Sequence, residues 1–107
     1  MLDRLMQELK ATGLEFRRGG WAKAPATDYG AVALDGAGAT VWADGAMVEQ
    51  ALTGTVDMYT RDEGIPQMLA VQQAFKRAGV SWRLNTVIYE RDTRLTHYEW
   101  TFELEAV

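Results

Sequence analysis

Hydrophobic residues near the N-terminus recur with the period of an α-helix. They fall at positions i, i+3, i+4 and i+7 and share one stripe of a helix that ends at Gly13: Leu2, Leu5, Met6 and Leu9. A second helix is predicted to begin after Arg61, with Pro66 in its first turn and Gly79 at its end. The predicted buried stripe of this second helix consists of Ile65, Met68, Leu69 and Phe75.

Outside the helices, apolar and polar residues alternate with the period of a half-buried β-strand. The alternation predicts five strands, at residues 14–17, 29–35, 48–61, 81–91 and 96–106. Gly36 to Gly38 predicts a turn after the second strand, and residues 39–43 form either a short strand or an ordered loop. The order α-β-β-β-α-β-β favours one α+β domain over residues 1–107, with one mostly antiparallel sheet and two helices packed on one face.

The alternation also assigns the faces of the strands. In the third strand, Gly54, Val56 and Met58 are predicted to point toward the core. The outward positions of the same strand are Thr53, Thr55, Asp57, Tyr59 and Arg61. In the fourth strand, Trp82, Leu84 and Ile88 are predicted to be buried, with Val87 and Tyr89 on the outward face. In the last strand the predicted inward residues include Trp100.

Composition removes most catalytic options. The chain has 107 residues, no cysteine, one histidine (His97), one serine (Ser81) and a formal net charge of −4. Disulfides, thiolate metal sites and a thiol nucleophile are therefore excluded. One serine and one histidine leave almost no residues from which a Ser/His triad or a multi-histidine metal site could be built. We expect no enzyme activity, no catalytic residues, no cofactor and no metal ion. The acidic balance argues against a chain that binds phosphate backbones throughout.

Targeting signals are not expected either. The first ten residues are amphipathic, unlike a signal peptide, and no apolar stretch approaches the 18 residues that a membrane span requires. His97 lies on the polar face of its strand and is interpreted as a solvated or hydrogen-bonded side chain rather than a general base. A metal cluster is not favoured, because each acidic candidate has a local explanation as a turn, strand-face or helix-start residue: Asp35, Asp44, Asp57, Asp62 and Glu63.

Three predicted strands exceed the usual five or six residues, and a domain of this size cannot cover such strands by itself. Long uncovered edges favour pairing with another chain, which indicates a self-associating structural module. Trp42, beside the apolar Val41, lies in Gly-rich surroundings where a tryptophan either packs on the core or meets a partner. The candidate interface residues are Val41, Trp42, Thr53, Thr55, Tyr59, Arg61 and Tyr89.

Several segments of the chain resemble one family of structural proteins. They are Trp42–Gly45, Glu49–Asp62, Val80–Trp82 and Thr96–Leu104, and they are arranged around the second helix. In size, element order and the aromatic-rich last strand, nearly the whole chain resembles the tail terminator proteins of long-tailed siphophages, also called tail completion or tail-to-head joining proteins. The resemblance implies a closed ring, typically a hexamer, that caps the head-proximal end of the tail tube and docks on the head connector.

The resemblance also implies partners and a location. The partners would be further copies of the chain, the tail tube protein and the head–tail connector protein, with DNA passing through the lumen of the ring without sequence-specific binding. The location would be the tail or neck of the virion, and the host cytoplasm during assembly. The long strands and residues 35–45 would contact neighbouring subunits or the tube. The family supplies no active site to transfer.

Two other interpretations stay open. A ferredoxin-like dimeric domain that binds a small ligand would need a closed apolar pocket with convergent polar groups. A small carboxylate-dependent enzyme or nuclease would use Asp35, Asp57 and Glu90, and would need these carboxyl groups close together.

Overall fold

The computed structural model describes residues 2–25, 28–43 and 46–105, and for residues 36–43, 46–51 and 105 it describes the backbone alone. The order α-β-β-β-α-β-β and the α+β class are confirmed. The elements are α1 (Leu2–Lys10), β1 (Glu15–Arg18), β2 (Tyr29–Ala43), β3 (Ala46–Thr60), α2 (Ile65–Ala78), β4 (Ser81–Glu90) and β5 (Leu95–Glu105).

The five strands form one sheet in the order β1-β2-β3-β5-β4. β1 pairs with β2 in parallel, and the other three pairings are antiparallel, so the prediction of a mostly antiparallel sheet is confirmed. β4 is the outer strand at one side of the sheet and pairs with β5 alone among the described residues. At the other side, β1 is short and pairs only with residues 29–32 of β2.

Both helices pack on one face of the sheet, as predicted. The core between the helices and the sheet is formed by large apolar side chains, including Leu5, Leu9, Val56, Met58, Val71, Phe75, Trp100 and Phe102. Trp100 is fully buried, and its indole N–H donates a hydrogen bond to Gln72 Oε1 at 3.3 Å. A buried tryptophan of this kind contributes a large apolar area and still satisfies its polar group.

The ends of α2 are confirmed, but part of its predicted buried stripe is wrong. Pro66 lies in the first turn, and Gly79 ends the helix with φ of 72°, a conformation that glycine adopts without strain. Phe75 is buried as predicted, whereas Ile65 is 48% exposed and Leu69 is 52% exposed. The buried positions also include two that the pattern did not select, Val71 and Ala74.

β2 continues through the residues that were predicted to form a turn. Gly36 to Gly38 lies within β2, and the pairing with β3 shifts register between Leu34 and Gly36 and again between Ala37 and Thr40. Such shifts are β-bulges, which insert extra residues without ending the ladder. The predicted turn at Gly36 to Gly38 is therefore wrong, and of the two alternatives for residues 39–43 the strand is the one observed.

The β2–β3 hairpin extends beyond the rest of the sheet. β3 pairs with β5 from Ala51 to Thr60, so residues 46–50 pair only with β2. We call residues 40–43 and 46–50 the arm. Each hairpin strand has 15 residues, which corresponds to about 50 Å of extended chain. The length of the whole hairpin is thus close to the longest dimension of the molecule, 53 Å.

A bulge in β4 reverses the predicted faces of its second half. The pairing with β5 skips Asn85: Leu84 lies opposite Trp100, and Thr86 lies opposite Glu99. Because one extra residue changes the parity of a strand, Val87 and Tyr89 lie on the helix side of the sheet, and Ile88 lies on the opposite side. The predicted burial of Trp82 and Ile88 is also wrong, since they are 40% and 53% exposed.

Candidate interaction surfaces

The side of the sheet that faces away from the helices, here called the open face, carries a row of stacked rings. Tyr29, Tyr59 and His97 lie opposite one another on β2, β3 and β5. The Tyr29 and Tyr59 ring centroids are 4.9 Å apart, and those of Tyr59 and His97 are 4.3 Å apart, both with an interplanar angle of 19°. Trp21 closes the row with an edge contact on Tyr29 and donates an indole hydrogen bond to Gly30 O at 2.8 Å.

Stacking restricts what this row can offer to a partner. Tyr59 is stacked between Tyr29 and His97, so both faces of its ring are occupied by neighbours. Burial, followed by the negative charge of Asp57, raises the pKa of Tyr59 to about 12. The Tyr59 hydroxyl therefore stays protonated at physiological pH and remains a hydrogen-bond donor.

His97 lies between two carboxylates on this face. Its Nε2 is 2.7 Å from Asp57 Oδ1, and its Nδ1 is 3.7 Å from Glu90 Oε2. The hydrogen bond to Asp57 raises the pKa of His97, burial opposes this effect, and the charges of Asp57, Glu90 and Glu99 add to the rise. The interpretation of His97 as a hydrogen-bonded side chain is confirmed. It joins β3, the end of β4 and β5 electrostatically.

The carboxylates of the enzyme interpretation are partly brought together. Asp57 and Glu90 flank His97, whereas Asp35 accepts a hydrogen bond from the Thr55 hydroxyl at 2.5 Å. Both ring nitrogens of His97 face carboxylates, which favours the protonated imidazole, and in that form neither nitrogen has a lone pair to accept a proton. The geometry is that of an electrostatic clamp.

Neighbouring groups of the open face form a second polar network. The side chain of the bulge residue Asn85 donates hydrogen bonds to Thr101 Oγ1 at 2.6 Å and to Glu99 Oε1 at 3.2 Å. Arg83 in turn donates to Asn85 Oδ1 at 3.0 Å. The bulge is thus held in place by contacts between β4 and β5. No group of three or more side chains among the described residues is arranged to hold a metal ion.

The β4 side of the molecule is the most apolar part of the described surface. Exposed large apolar side chains in the described part number seven, and six of them lie on β4 or on α2: Ile65, Leu69, Trp82, Val87, Ile88 and Tyr89. The seventh, Leu34, lies on β2. Tyr89 is 58% exposed and Val87 is 50% exposed. Isolated exposed apolar residues are ordinary, but their concentration beside one edge strand makes this part of the described surface a candidate interface.

The exposed apolar residues of α2 lie on the flank nearest to β4. The flank toward α1 is marked by the ion pair of Arg77 with Glu8, 3.6 Å between Arg77 Nε and Glu8 Oε2. The other flank is marked by Gln72, which lies over Trp100 of β5. Leu69 precedes Gln72 by three residues and Ile65 precedes Leu69 by four, so they share its flank. We call the helix-side surface formed by Ile65, Leu69, Trp82, Val87 and Tyr89 the β4 patch.

No protein-family model and no curated protein sequence matches this chain. Its function must therefore be argued from its own residues and surfaces. Neither of the two helices in the described part of the chain is long and apolar enough to cross a membrane.

The predicted interface residues do not form a single surface. Thr53, Thr55 and Tyr59 point to the open face, as their alternation in β3 predicted. Arg61 and Tyr89 line one cleft of about 380 Å³ at the end of the sheet, together with Thr93, Arg94 and Leu95. Tyr89 belongs to the helix side and not to the outward side that was predicted.

The remaining two predicted interface residues lie near the tip of the hairpin. Val41 pairs with Glu49, and Trp42 pairs with Met47, across the arm. Their side chains lie outside the part of the structure that is described, so the proposed role of Trp42 stays a prediction.

Sequence reasoning selected Tyr89 as an interface residue but missed its grouping with the other residues of the β4 patch, although two signals for that patch were present. Leu69 and Ile65 are displaced around the helix from the positions of Val71 and Phe75, so the apolar residues of α2 are too widely spread for one buried stripe. The run Thr86–Val87–Ile88–Tyr89 has three apolar residues in succession, which a strand with one buried face does not need.

Proposed function

We propose that this protein is a ring-forming structural component of a siphophage head–tail junction, a tail terminator that caps the tail tube and joins it to the head connector. Two lines of support are independent of each other. One is the resemblance of the sequence to tail terminator proteins. The other is the uncovered β4 strand with its apolar surroundings, which supports self-association whatever the family.

The uncovered strand is the observation that carries the proposal. β4 has ten residues and pairs on one side only within the described structure. Unpaired strand edges are usually shortened, charged or covered, because they template association. Here Trp82, Val87 and Tyr89 remain 40–58% exposed beside the edge. A further copy of the chain would bury these side chains and pair the backbone groups.

A ring also requires a heterologous contact, in which two different patches meet. The two sides of this sheet differ: β4 is long and its outer edge has no partner strand among the described residues, whereas the opposite side presents the short β1 and the uncovered part of β2. Unlike sides of this kind favour head-to-tail association, which closes into a ring when the rotation between subunits allows it.

The charge of the open face suits the lumen of such a ring. Among the strand side chains that the structure describes, the pairing register places six carboxylates and two arginines on this face: Glu15, Asp35, Asp57, Glu90, Glu99, Glu103, Arg17 and Arg83. A surface with an excess of negative charge does not retain phosphate backbones. DNA would therefore pass along it without being held, as a tail terminator requires.

A closed pocket of the kind needed by a ligand-binding domain is not favoured by the described surface. The clefts at the β4–β5 side are open troughs, such as one of about 290 Å³ lined by residues that include Trp82, Arg83 and Phe102. Ligand sites in small domains are usually concave enough to bury most of the ligand.

The proposal is tested by the oligomeric state of the purified protein. Sedimentation velocity over a wide range of concentration, with negative-stain electron microscopy of the largest species, is expected to show rings of one size. A second series would include the tail tube protein from the same genome. A strict monomer in both series would contradict the proposal, and open filaments in place of rings would contradict the capping role.

A further inference from the structure

We infer that the β4 patch and the unpaired edge of β4 bind the outer edge of β2, residues 33–43, of a second copy of this chain. This inference rests on the proposed self-assembly and states which surfaces meet. Residues 33–43 are the part of β2 beyond its pairing with β1, so among the described residues their outer edge is unpaired.

The two edges match in length. β4 contributes ten residues and the outer edge of β2 contributes eleven, from Ala33 to Ala43. β1, the other strand on that side, has only four residues and would leave more than half of β4 unpaired. Main-chain pairing between two edges is the usual way in which a strand joins an exposed sheet.

The apolar surface at the two edges also matches. Leu34, at the start of the uncovered part of β2, is 41% exposed and lies opposite Gly54 on the helix side of the sheet. The β4 patch lies on the helix side of the other edge. A continuous sheet between two copies that keeps its helices on one side would therefore bring Leu34 of one copy toward the β4 patch of the next.

The arm gains support from the same contact. A two-stranded antiparallel ribbon is marginally stable in water unless a third strand or another surface packs against it. Residues 46–50 pair with β2 alone, so within a single described copy the arm is such a ribbon. β4 of a neighbouring copy would supply a third strand along the β2 side of the arm. The contact is heterologous and places one β4 patch and one β2 edge at every junction.

The absence of cysteine from the chain permits a direct test by engineered disulfides. Paired residues on antiparallel strands have Cα atoms about 4.5–5.5 Å apart, within the range that a disulfide bridges. One single-cysteine variant carries Val87→Cys in β4. Three others carry Asp35→Cys, Gly36→Cys or Ala37→Cys in β2, because Gly36 or Ala37 lies opposite Val87 when all ten residues of β4 pair antiparallel with residues 33–43. Lys10→Cys, on exposed α1, is the matched control.

Each β2 variant is mixed with a size-tagged Val87→Cys variant and oxidised, and the mixed disulfide is measured on a denaturing gel. The expected result is a mixed product at least ten times more abundant than that with Lys10→Cys, and a ladder of linked species from a chain carrying both substitutions. A Val87–Val87 product in place of the mixed one would overturn the inference in favour of a symmetric dimer.

Sedimentation of the unmodified chain separates this inference from the proposed function. Rings that form without the mixed disulfide would overturn the assigned contact and leave the proposed function standing. A strict monomer without cross-links would overturn both. A variant with Val87→Lys, which places a charge on the patch at a half-exposed position, is expected to weaken association at least tenfold while its monomer unfolds with the same cooperativity.

Discussion

The same Leu→Ala substitution at two leucines on different helices compares the stability contributed by an exposed residue of α2 with that contributed by a core residue. Leu9 of α1 is 0% exposed and Leu69 of α2 is 52% exposed. Leu→Ala removes three carbon groups, worth about 2.4 kcal/mol when fully buried, at about 0.8 kcal/mol for each group. Leu9→Ala also leaves a cavity, so its total cost is expected to be about 3–4 kcal/mol. Leu69→Ala in the monomer is expected to cost about half of the transfer value, or ~1.2 kcal/mol.

The difference between the two variants is large enough to measure. About 2 kcal/mol separates them, which corresponds to roughly 8 °C in Tm for a domain of this size. Urea unfolding of dilute protein, followed by tryptophan fluorescence, gives the two free energies under monomeric conditions. The same substitution chemistry in two helices removes differences in helix propensity from the comparison.

Association adds a second measurement to the same variant. If Leu69 becomes buried between copies, the remaining half of its transfer free energy, about 1.2 kcal/mol, contributes to association and corresponds to roughly sevenfold in Kd. Leu69→Ala is then expected to weaken self-association by about that factor. An equal loss of stability from Leu69→Ala and Leu9→Ala in dilute monomer would refute the reasoning, because it would place Leu69 in the core of its own subunit.

Two further predictions concern the sheet. The pKa of His97 is raised above its ordinary value of 6.5, so the stabilisation of the fold by its pairing with Asp57 is complete below about pH 6.5 and is lost as pH rises through the raised pKa. Urea unfolding midpoints measured between about pH 5 and 9 are expected to fall with pH in the native chain and not to show this fall in His97→Gln. The same pH dependence in both proteins would contradict the pairing of His97 with the carboxylates. A Cβ on Gly54 would lie 2.5 Å from Ala33 O, so Gly54→Ala is expected to lower the free energy of unfolding by about 1–3 kcal/mol or more. The control is Gly20→Ala, whose Cβ would meet nothing within 4 Å. Equal thermal stability of the two variants would contradict the close packing at Gly54.

Local patterns predicted those elements whose signals agree with one another. The boundaries of α2 follow from Pro66 and Gly79, whose backbone preferences act within one turn. The faces of β3 follow from strict alternation between Thr53 and Thr60, and the same holds for β5 around Trp100. For α2 the end signals agree with the observed bounds, and for β3 and β5 the periodicity agrees with the final burial, so no tertiary contact overrode these local preferences.

Local patterns failed where an extra residue in a strand, or pairing with a distant strand, determines the direction of the side chains or the length of the strand. The bulge at Asn85 is stabilised by hydrogen bonds to Glu99 and Thr101, which are 14 and 16 residues away along the chain. No local feature of β4 predicts those hydrogen-bond partners, yet the bulge determines the side of the sheet on which Tyr89 lies. The same holds for Gly36 to Gly38, where pairing with β3 continues a strand through residues that favour turns.

The candidate surfaces show the same division. The polar character of the open face could be read from the alternating residues of β3 and β5, including His97. The hydrogen bond of His97 to Asp57 and its stacking on Tyr59 could not, because both join residues that are neighbours only across the sheet.

The sequence by itself determined the α+β class, the order of the elements, the ends of α2 and the exclusion of thiol chemistry. These depend on residue types and on periods of two and 3.6 residues, which act over short distances along the chain. The tertiary structure alone decided that β4 is an edge strand, that Leu69 and Ile65 are uncovered, and that the β2–β3 hairpin projects past the sheet. Strand order and register are set by pairings between distant residues, and those pairings determine which apolar side chains are left for another molecule to cover.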